Sequence, residues 1–197
     1  MLNMKKYFVR LAVLALLPLG VFSCKKEYDG LGPLQDSVTD IPVTVPNQEF
    51  FERFPIVTAS VSKADPSGGS GPFTIVLQIP ADKGKIKEIT KIATGVAGLN
   101  NLQSSDALLA FNYDAAAGRV VPIAGNGTNQ ITFTSNLTRY TAYRTRVGAA
   151  AAGQPAVVAP NSSFTPQNPN QLPYYFLLTL EDGRQLVSTA IRVRVVD

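Results

Sequence analysis

From Ile41 to the C-terminus, short runs of β-branched and aromatic residues recur between Gly, Pro, Asn and Asp clusters, at intervals of roughly 8–12 residues. That cadence predicts an all-β chain folded as an antiparallel β-sandwich of about 7–9 strands. The strands expected are Ile41–Val45, Ile56–Ser62, Phe73–Ile79, Ile86–Ala93, Ala107–Tyr113, Arg119–Ile123, Gln130–Thr134, Tyr140–Val147, Tyr174–Leu180 and Gln185–Val196. No amphipathic helix competes with them. With 45% hydrophobic residues the chain can fill a core. Lys85–Ile92 is the ambiguous segment, because Ile86, Ile89 and Ile92 step by three as they would on a helix. The turns on either side, at Gly84 and Gly95, favour a strand.

Asp182-Gly183 between two alternating runs predicts a hairpin with a two-residue type I′ turn. It pairs Tyr174–Leu180 with Gln185–Val196. Along the last strand, Val187, Thr189, Ile191, Val193 and Val195 make the expected core face, with Leu186, Ser188, Ala190, Arg192 and Arg194 opposite. Gly148–Leu172 is rich in Ala, Pro, Asn and Ser and is too long for an ordinary connection. Its lack of charge and its single aromatic, Phe164, favour a loosely packed loop over a binding loop. Gly95–Ser105 reads as a polar connection.

Phe73–Ile79, the Gly84 turn and Ile86–Ile89 look like the B–C strand pair of an immunoglobulin-like domain. Tyr174–Leu180 with Ala190–Val195 looks like a terminal F–G hairpin. A rival F strand is Leu137–Val147, whose Leu…Thr-x-Tyr-x-x-x-Val spacing is typical of fibronectin type III domains. From about Phe50 onward the chain thus resembles immunoglobulin-like and fibronectin type III-like domains of secreted proteins. It lacks the Trp and the paired Cys of true immunoglobulin domains. Fold analogy of this kind carries no function.

The N-terminal segment differs in kind. Lys5, Lys6 and Arg10 precede an uncharged apolar run, 11–22, the layout of a removable secretory signal that is too short to span a bilayer. Val21-Phe22-Ser23-Cys24 resembles a bacterial lipobox, in which the Cys is diacylated and becomes the mature N-terminus. Lys25-Lys26-Glu27-Tyr28-Asp29 resembles the charged stretch after the acylated Cys in many surface lipoproteins of the Bacteroidota. The resemblance implies a signal peptide over 1–23, a lipid-anchored tether over 24–40 and the sandwich over 41–197. Acyl chains on Cys24 would hold the protein on the outer membrane of a cell envelope, surface-exposed, with no membrane-spanning helix. Asp36-Ser37-Val38 is similar to the O-glycosylation motif of that group, which makes Ser37 a candidate acceptor. Formal charge is +4 for the whole chain, but loss of Lys5, Lys6 and Arg10 leaves 15 basic against 14 acidic residues. Nucleic acid is therefore not an expected partner.

The chain has no His and one Cys. His-based triads, His metal ligands and Cys-cluster metal sites are excluded, and no cofactor or metal is expected. Any enzyme would have to rest on carboxylates, Lys, Tyr or Ser, and most of the carboxylates sit beside Gly or Pro or at strand ends, where turn roles suffice. No catalytic residue is assigned. The candidate binding residues are aromatic and basic. Tyr113, Tyr140, Tyr143, Tyr174 and Tyr175 could supply a platform for stacking a sugar, and Tyr143 and Tyr174 are the candidates taken from them. Arg144 and Arg192 are taken from a possible basic stripe in which Arg144/Arg146 and Arg192/Arg194 each share a strand face. Expected function is a non-catalytic interaction or structural module of the cell envelope, meeting another envelope protein or a glycan. The alternative is a carbohydrate-binding accessory protein of a glycan-uptake system.

Overall fold

The computed structural model describes residues 41–62, 70–148, 159–163 and 170–197. The expected export signal, the tether with Cys24 and Ser37, and most of the 148–172 connection lie outside the described residues. The strands in chain order are β1 (Phe50–Phe51), β2 (Pro55–Ser60), β3 (Pro72–Gln78), β4 (Ile86–Thr94), β5 (Tyr113–Asp114), β6 (Arg119–Val120), β7 (Ile123–Ala124), β8 (Gln130–Asn136), β9 (Gln171–Leu180), β10 (Gln185–Val187) and β11 (Ile191–Val196). Among the described residues two α-helices, α1 (Gly98–Gln103) and α2 (Leu137–Gly148), interrupt them.

The larger sheet runs β1-β2-β11-β9-β4-β7, with β10 also on β9; β3 and β8 form a second sheet, and β5 and β6 a small hairpin. The fold is an unclosed, all-β sandwich. The order β11-β9-β4 is the G-F-C order of an immunoglobulin-like sandwich, and the β3–β8 pair stands as B and E. The terminal hairpin is thus the F–G element, and the expected B and C strands lie in opposite sheets, joined by a 3-10 turn at Ala81–Lys83. One pairing departs from the antiparallel expectation: β11 runs parallel to β2. The expected strand at Ile41–Val45 reduces to a single bridge from Thr44 to Gln78.

Phe73, Ile75 and Leu77 of β3 and Phe133 of β8 meet Tyr174, Phe176 and Leu178 of β9 in one apolar cluster. Alternation along β3 and β9 puts every second residue into it. The three isoleucines of β4 would fall on alternate faces of a regular strand. Register shifts between Ile86 and Glu88, and between Ile89 and Lys91, each insert a residue, so all three are fully buried.

Four expectations are corrected. Residues 137–148 form a helix, not a strand. Asn136 caps it, its Oδ1 accepting the Arg139 N–H at 2.8 Å. Leu137, Tyr140 and Tyr143, spaced by three, turn inward together. Thr141 and Thr145 back-bond to the carbonyls of Leu137 and Thr141 (3.0 Å each), which accommodates β-branched residues in a helix. Second, Ala107–Tyr113 is not a strand but a 3-10 turn at Ala107–Leu109, followed by a segment held through a side chain. Asn112, buried, accepts from Ile92 N–H (2.9 Å) and donates to Val121 O (2.9 Å) and Thr90 O (3.3 Å), standing in for strand pairing.

Third, the final run is two strands of opposite phase. Leu186 and Ser188 are buried and Val187 and Thr189 exposed; beyond Ala190 the odd residues Ile191, Val193 and Val195 are buried. The ladder breaks at Ser188, whose N–H donates to Phe176 O (2.9 Å) while its hydroxyl accepts the Phe176 N–H (3.0 Å) in place of a ladder carbonyl, and the phase changes between Ala190 and Ile191, both buried. Fourth, the hairpin turn has three residues. Only Gly183 takes positive φ (88°), Leu180 N–H donates to Arg184 O (2.9 Å), and Asp182 stays right-handed with its carboxylate accepting Arg184 N–H at 3.0 Å. The polar connection after Gly95 holds α1. Gly98 is required there, because a Cβ would lie 2.5 Å from the Tyr175 ring.

Candidate binding cleft

Four of the carboxylates are held by hydrogen bonds at separate places in the fold. Glu49 accepts from Thr58 N–H (3.0 Å) and Oγ1 (2.6 Å), Asp106 from Leu108 N–H (2.9 Å), and Asp114 from Ala116 N–H (2.8 Å). Asp182 pairs with Arg184 at 2.7 Å, and the hydrogen bonds from Arg184 hold its carboxyl below the usual range. Among the described residues no group of three His, Cys, Asp or Glu could hold a metal. Glu181 and Asp182 lie in the hairpin turn, where Asp182 accepts the Arg184 N–H at 3.0 Å.

The four candidate binding residues separate into three environments. Tyr174 is fully buried, with ring centroids of Phe73 and Phe111 at 5.4 Å, so it is core and no platform for a sugar. Burial pushes its phenol well above the ordinary value, and its hydroxyl has no hydrogen-bond partner among the described residues. Arg192 lies on the outward face of β11, its guanidinium 4.6 Å from the Phe54 ring centroid and 2.7 Å from Gln171 Oε1. Arg194 on the same face covers Phe50 at 5.9 Å. Those two arginines do share a strand face, and Ile56, opposite Arg192 in register and outside the core cluster, is sealed at 1% exposure. Packing against aromatic rings accounts for both cations.

Tyr143 and Arg144 come together at a cleft of about 500 Å³ between α2 and the turn after β4. Its walls include Thr94, Val96, Asn101, Tyr143, Arg144 and Pro173. That volume is in the range that encloses a small ligand. Tyr143 is anchored rather than free: its hydroxyl donates to Leu109 O at 3.2 Å. Burial pushes this phenol up, opposed by hydrogen bonding to the Asn101 side chain and the Thr94 backbone and by the charge of Arg146. Arg144 and Arg146 are two residues apart on a helix and do not share a face, contrary to the strand expectation. Arg146 turns to the carbonyls of Leu108 (3.2 Å) and Ala110 (2.6 Å) under the Tyr113 and Tyr143 rings. Arg144 only touches the Tyr140 hydroxyl at 3.4 Å, with the ring at 5.9 Å. Four of its five N–H donors are thus uncommitted among the described residues.

Among the described residues no carboxylate lines this cleft. Its cation has no neutralising partner among them, and its rim carries Val96 fully exposed. A guanidinium, an amide and a phenol over an apolar wall can hold a polar ligand with one apolar side, an anionic one best. Asn101, Thr94 and Val96 lie in segments that read as strand end and loop, and only the placement of α1 and α2 makes them neighbours. Compared with family models, curated proteins and solved structures, the chain matches none. No helix among the described residues is long and apolar enough to cross a membrane.

Proposed function

We propose that this chain is a lipid-anchored protein of the bacterial cell envelope, held on the outer membrane through Cys24, whose sandwich is a non-catalytic binding module. The observation that carries the binding role is Arg144, a guanidinium with spare donors at a cleft that no described carboxylate lines. Supporting a non-catalytic reading, the carboxylates at Glu49, Asp106, Asp114 and Asp182 are spent on backbone, hydroxyl and guanidinium contacts. The anchoring rests on the positive n-region, the apolar run and the position of the single Cys at its end. Cys24→Ala is expected to move the protein from the membrane to the soluble fraction on cell fractionation; unchanged partitioning overturns the anchor.

A second reading, a carbohydrate-binding accessory protein of a glycan-uptake system, is favoured by the convergence of Tyr143, Asn101 and Arg144 in one cleft. On a glycan array it predicts binding to acidic sugars that Arg144→Ala abolishes. Absence of any signal from the wild type removes that reading.

A further inference from the structure

The two outer edges of the β3–β8 ladder are in opposite states. On the β3 side Thr44 exchanges both backbone bonds with Gln78, at 2.8 and 2.9 Å. Next along the same edge, Asn47 accepts the Val76 N–H with Oδ1 (2.8 Å) and gives Nδ2 to Thr74 O (2.8 Å). That side-chain amide imitates one residue of a strand, and the edge is closed. Because Gln78 bonds to Thr44, the alternation of an antiparallel ladder assigns its odd-numbered neighbours to β8, through the pairs Leu77–Ile131, Ile75–Phe133 and Phe73–Ser135.

The N–H and C=O groups of Thr132 and Thr134 therefore point away from β3. Neither residue has a main-chain partner on that side among the described residues, and both are exposed. Gln130 is not open in the same way, since the Thr128 hydroxyl bonds both its N–H (3.2 Å) and its C=O (3.0 Å). Beyond Asn136 the chain enters α2. What remains is a window two residues wide with two donors and two acceptors, at the position next to E where immunoglobulin-like sandwiches carry strand D.

A groove of about 450 Å³ adjoins this window, with Phe111, Tyr113, Val121, Ile123, Phe133 and Arg139 among its walls. Phe133 belongs to both features, being the residue between the two open threonines. Arg139 is exposed, its guanidinium 5.8 Å from the Phe111 ring centroid, and forms no ion pair with a described carboxylate. Asp114, on the same wall, is turned to the N–H groups of Ala116 and Ala117 (2.8 and 3.2 Å).

We propose that the β8 edge takes an extended segment of a partner protein as an added strand, which sets an apolar side chain into the groove and an Asp or Glu against Arg139. Main-chain bonds to Thr132 and Thr134 supply the register, the groove selects the apolar residue, and the unpaired guanidinium supplies the charge preference. The proposal goes beyond the anchored-module reading and stands or falls whatever Cys24 or the Arg144 cleft does.

The test uses the full-length protein in detergent micelles, screened against a displayed library of random dodecapeptides. Enriched peptides are expected to alternate apolar and polar residues, to carry an acidic residue, and to slow amide exchange at Thr132 and Thr134 by about tenfold or more. Thr132→Pro removes only an outward N–H, which an edge strand tolerates, and is expected to weaken binding by about tenfold or more. Arg139→Glu is expected to do the same, and Arg144→Ala to leave binding unchanged. The proposal is overturned if no peptide is enriched, or if peptides bind Thr132→Pro as tightly as wild type. Should Thr132→Pro unfold, unchanged exchange at Thr132 and Thr134 in the bound wild type overturns it equally. Self-association broken by Thr132→Pro, with no peptide bound, would replace the separate partner by a second copy of this chain.

Discussion

Tyr174→Phe is expected to stabilise the protein. The Tyr174 hydroxyl is fully buried with no partner among the described residues, and such a group costs about 1–3 kcal/mol in lost hydration. Deleting one oxygen leaves a void of about 15 Å³, worth about 0.4 kcal/mol against the variant. The ring contacts with Phe73 and Phe111 (5.4 Å) and Phe133 (6.0 Å) persist, so the net gain is about 0.5–2.5 kcal/mol. In a chain of this size that raises Tm by about 1–10 °C, and it moves the urea midpoint upward with the slope unchanged. Tyr174→Ala loses the ring instead and is expected to cost about 3–5 kcal/mol. The pH dependence gives a second readout. Burial raises the phenol's pKa in the folded state, so the unfolded chain ionises near its ordinary value of 10.0 while the folded chain keeps its proton. Stability from this group is whole below pH 10 and is lost as pH rises through the folded pKa. The alkaline loss should therefore be shallower in Tyr174→Phe, with Tyr143 still contributing its part. A variant less stable than wild type by about 1 kcal/mol or more, the worth of one satisfied hydrogen bond, would refute the reasoning.

Asn112→Ala removes three hydrogen bonds, leaving the Ile92 N–H buried without an acceptor, and is expected to cost about 2–4 kcal/mol in urea unfolding. Asn136→Ala deletes the cap of α2 and should cost about 1 kcal/mol by the same assay, with part of the helical circular dichroism lost; a strand at 137–148 would show neither. Lys91 is held beneath the end of α1 by a bond from its ammonium to Ser104 O (2.5 Å); burial lowers its pKa below 10.5, against the pull of Asp106. The unfolded chain then binds the extra proton, so wild-type stability should rise as pH climbs from the folded pKa toward 10.5, a rise that Lys91→Met removes.

Much of the sandwich is readable from alternation. In β3, β8 and β9 one face is buried and the other wet, so a period of two in the sequence survives into the structure. The Asp182-Gly183 hairpin is equally visible, although its turn type depended on Asp182 holding Arg184 rather than adopting positive φ. The helix at 137–148 shows where alternation and spacing stop short. Leu137, Tyr140 and Tyr143 repeat by three as the isoleucines of β4 do, yet the first is a helix and the second a doubly bulged strand. The turns at Gly84 and Gly95 mark β4 as a strand, but spacing by three alone does not separate the two. What does is the neighbour: β4 is hydrogen-bonded along its length to β9, while 137–148 has no strand beside it among the described residues and an Asn cap before it.

The candidate site was partly legible. Tyr143 and Arg144 are adjacent in sequence and stay together at a cleft, whereas Tyr174 looked the same as Tyr143 in sequence and is core, because it occupies an inward position of the central strand β9. By itself the sequence determined the strand-rich class, the apolar faces of the regular strands and the exclusion of histidine and multi-cysteine chemistry, all of which follow from residue type and short-range period. Tertiary structure decided that 137–148 has no strand beside it among the described residues, the ladder break at Ser188, the plugging of one sheet edge by Asn47 and the open window at Thr132 and Thr134. The plugged edge and the break rest on hydrogen bonds between groups distant in the chain, Asn47 to Val76 and Ser188 to Phe176, which only the assembled sheets bring within reach.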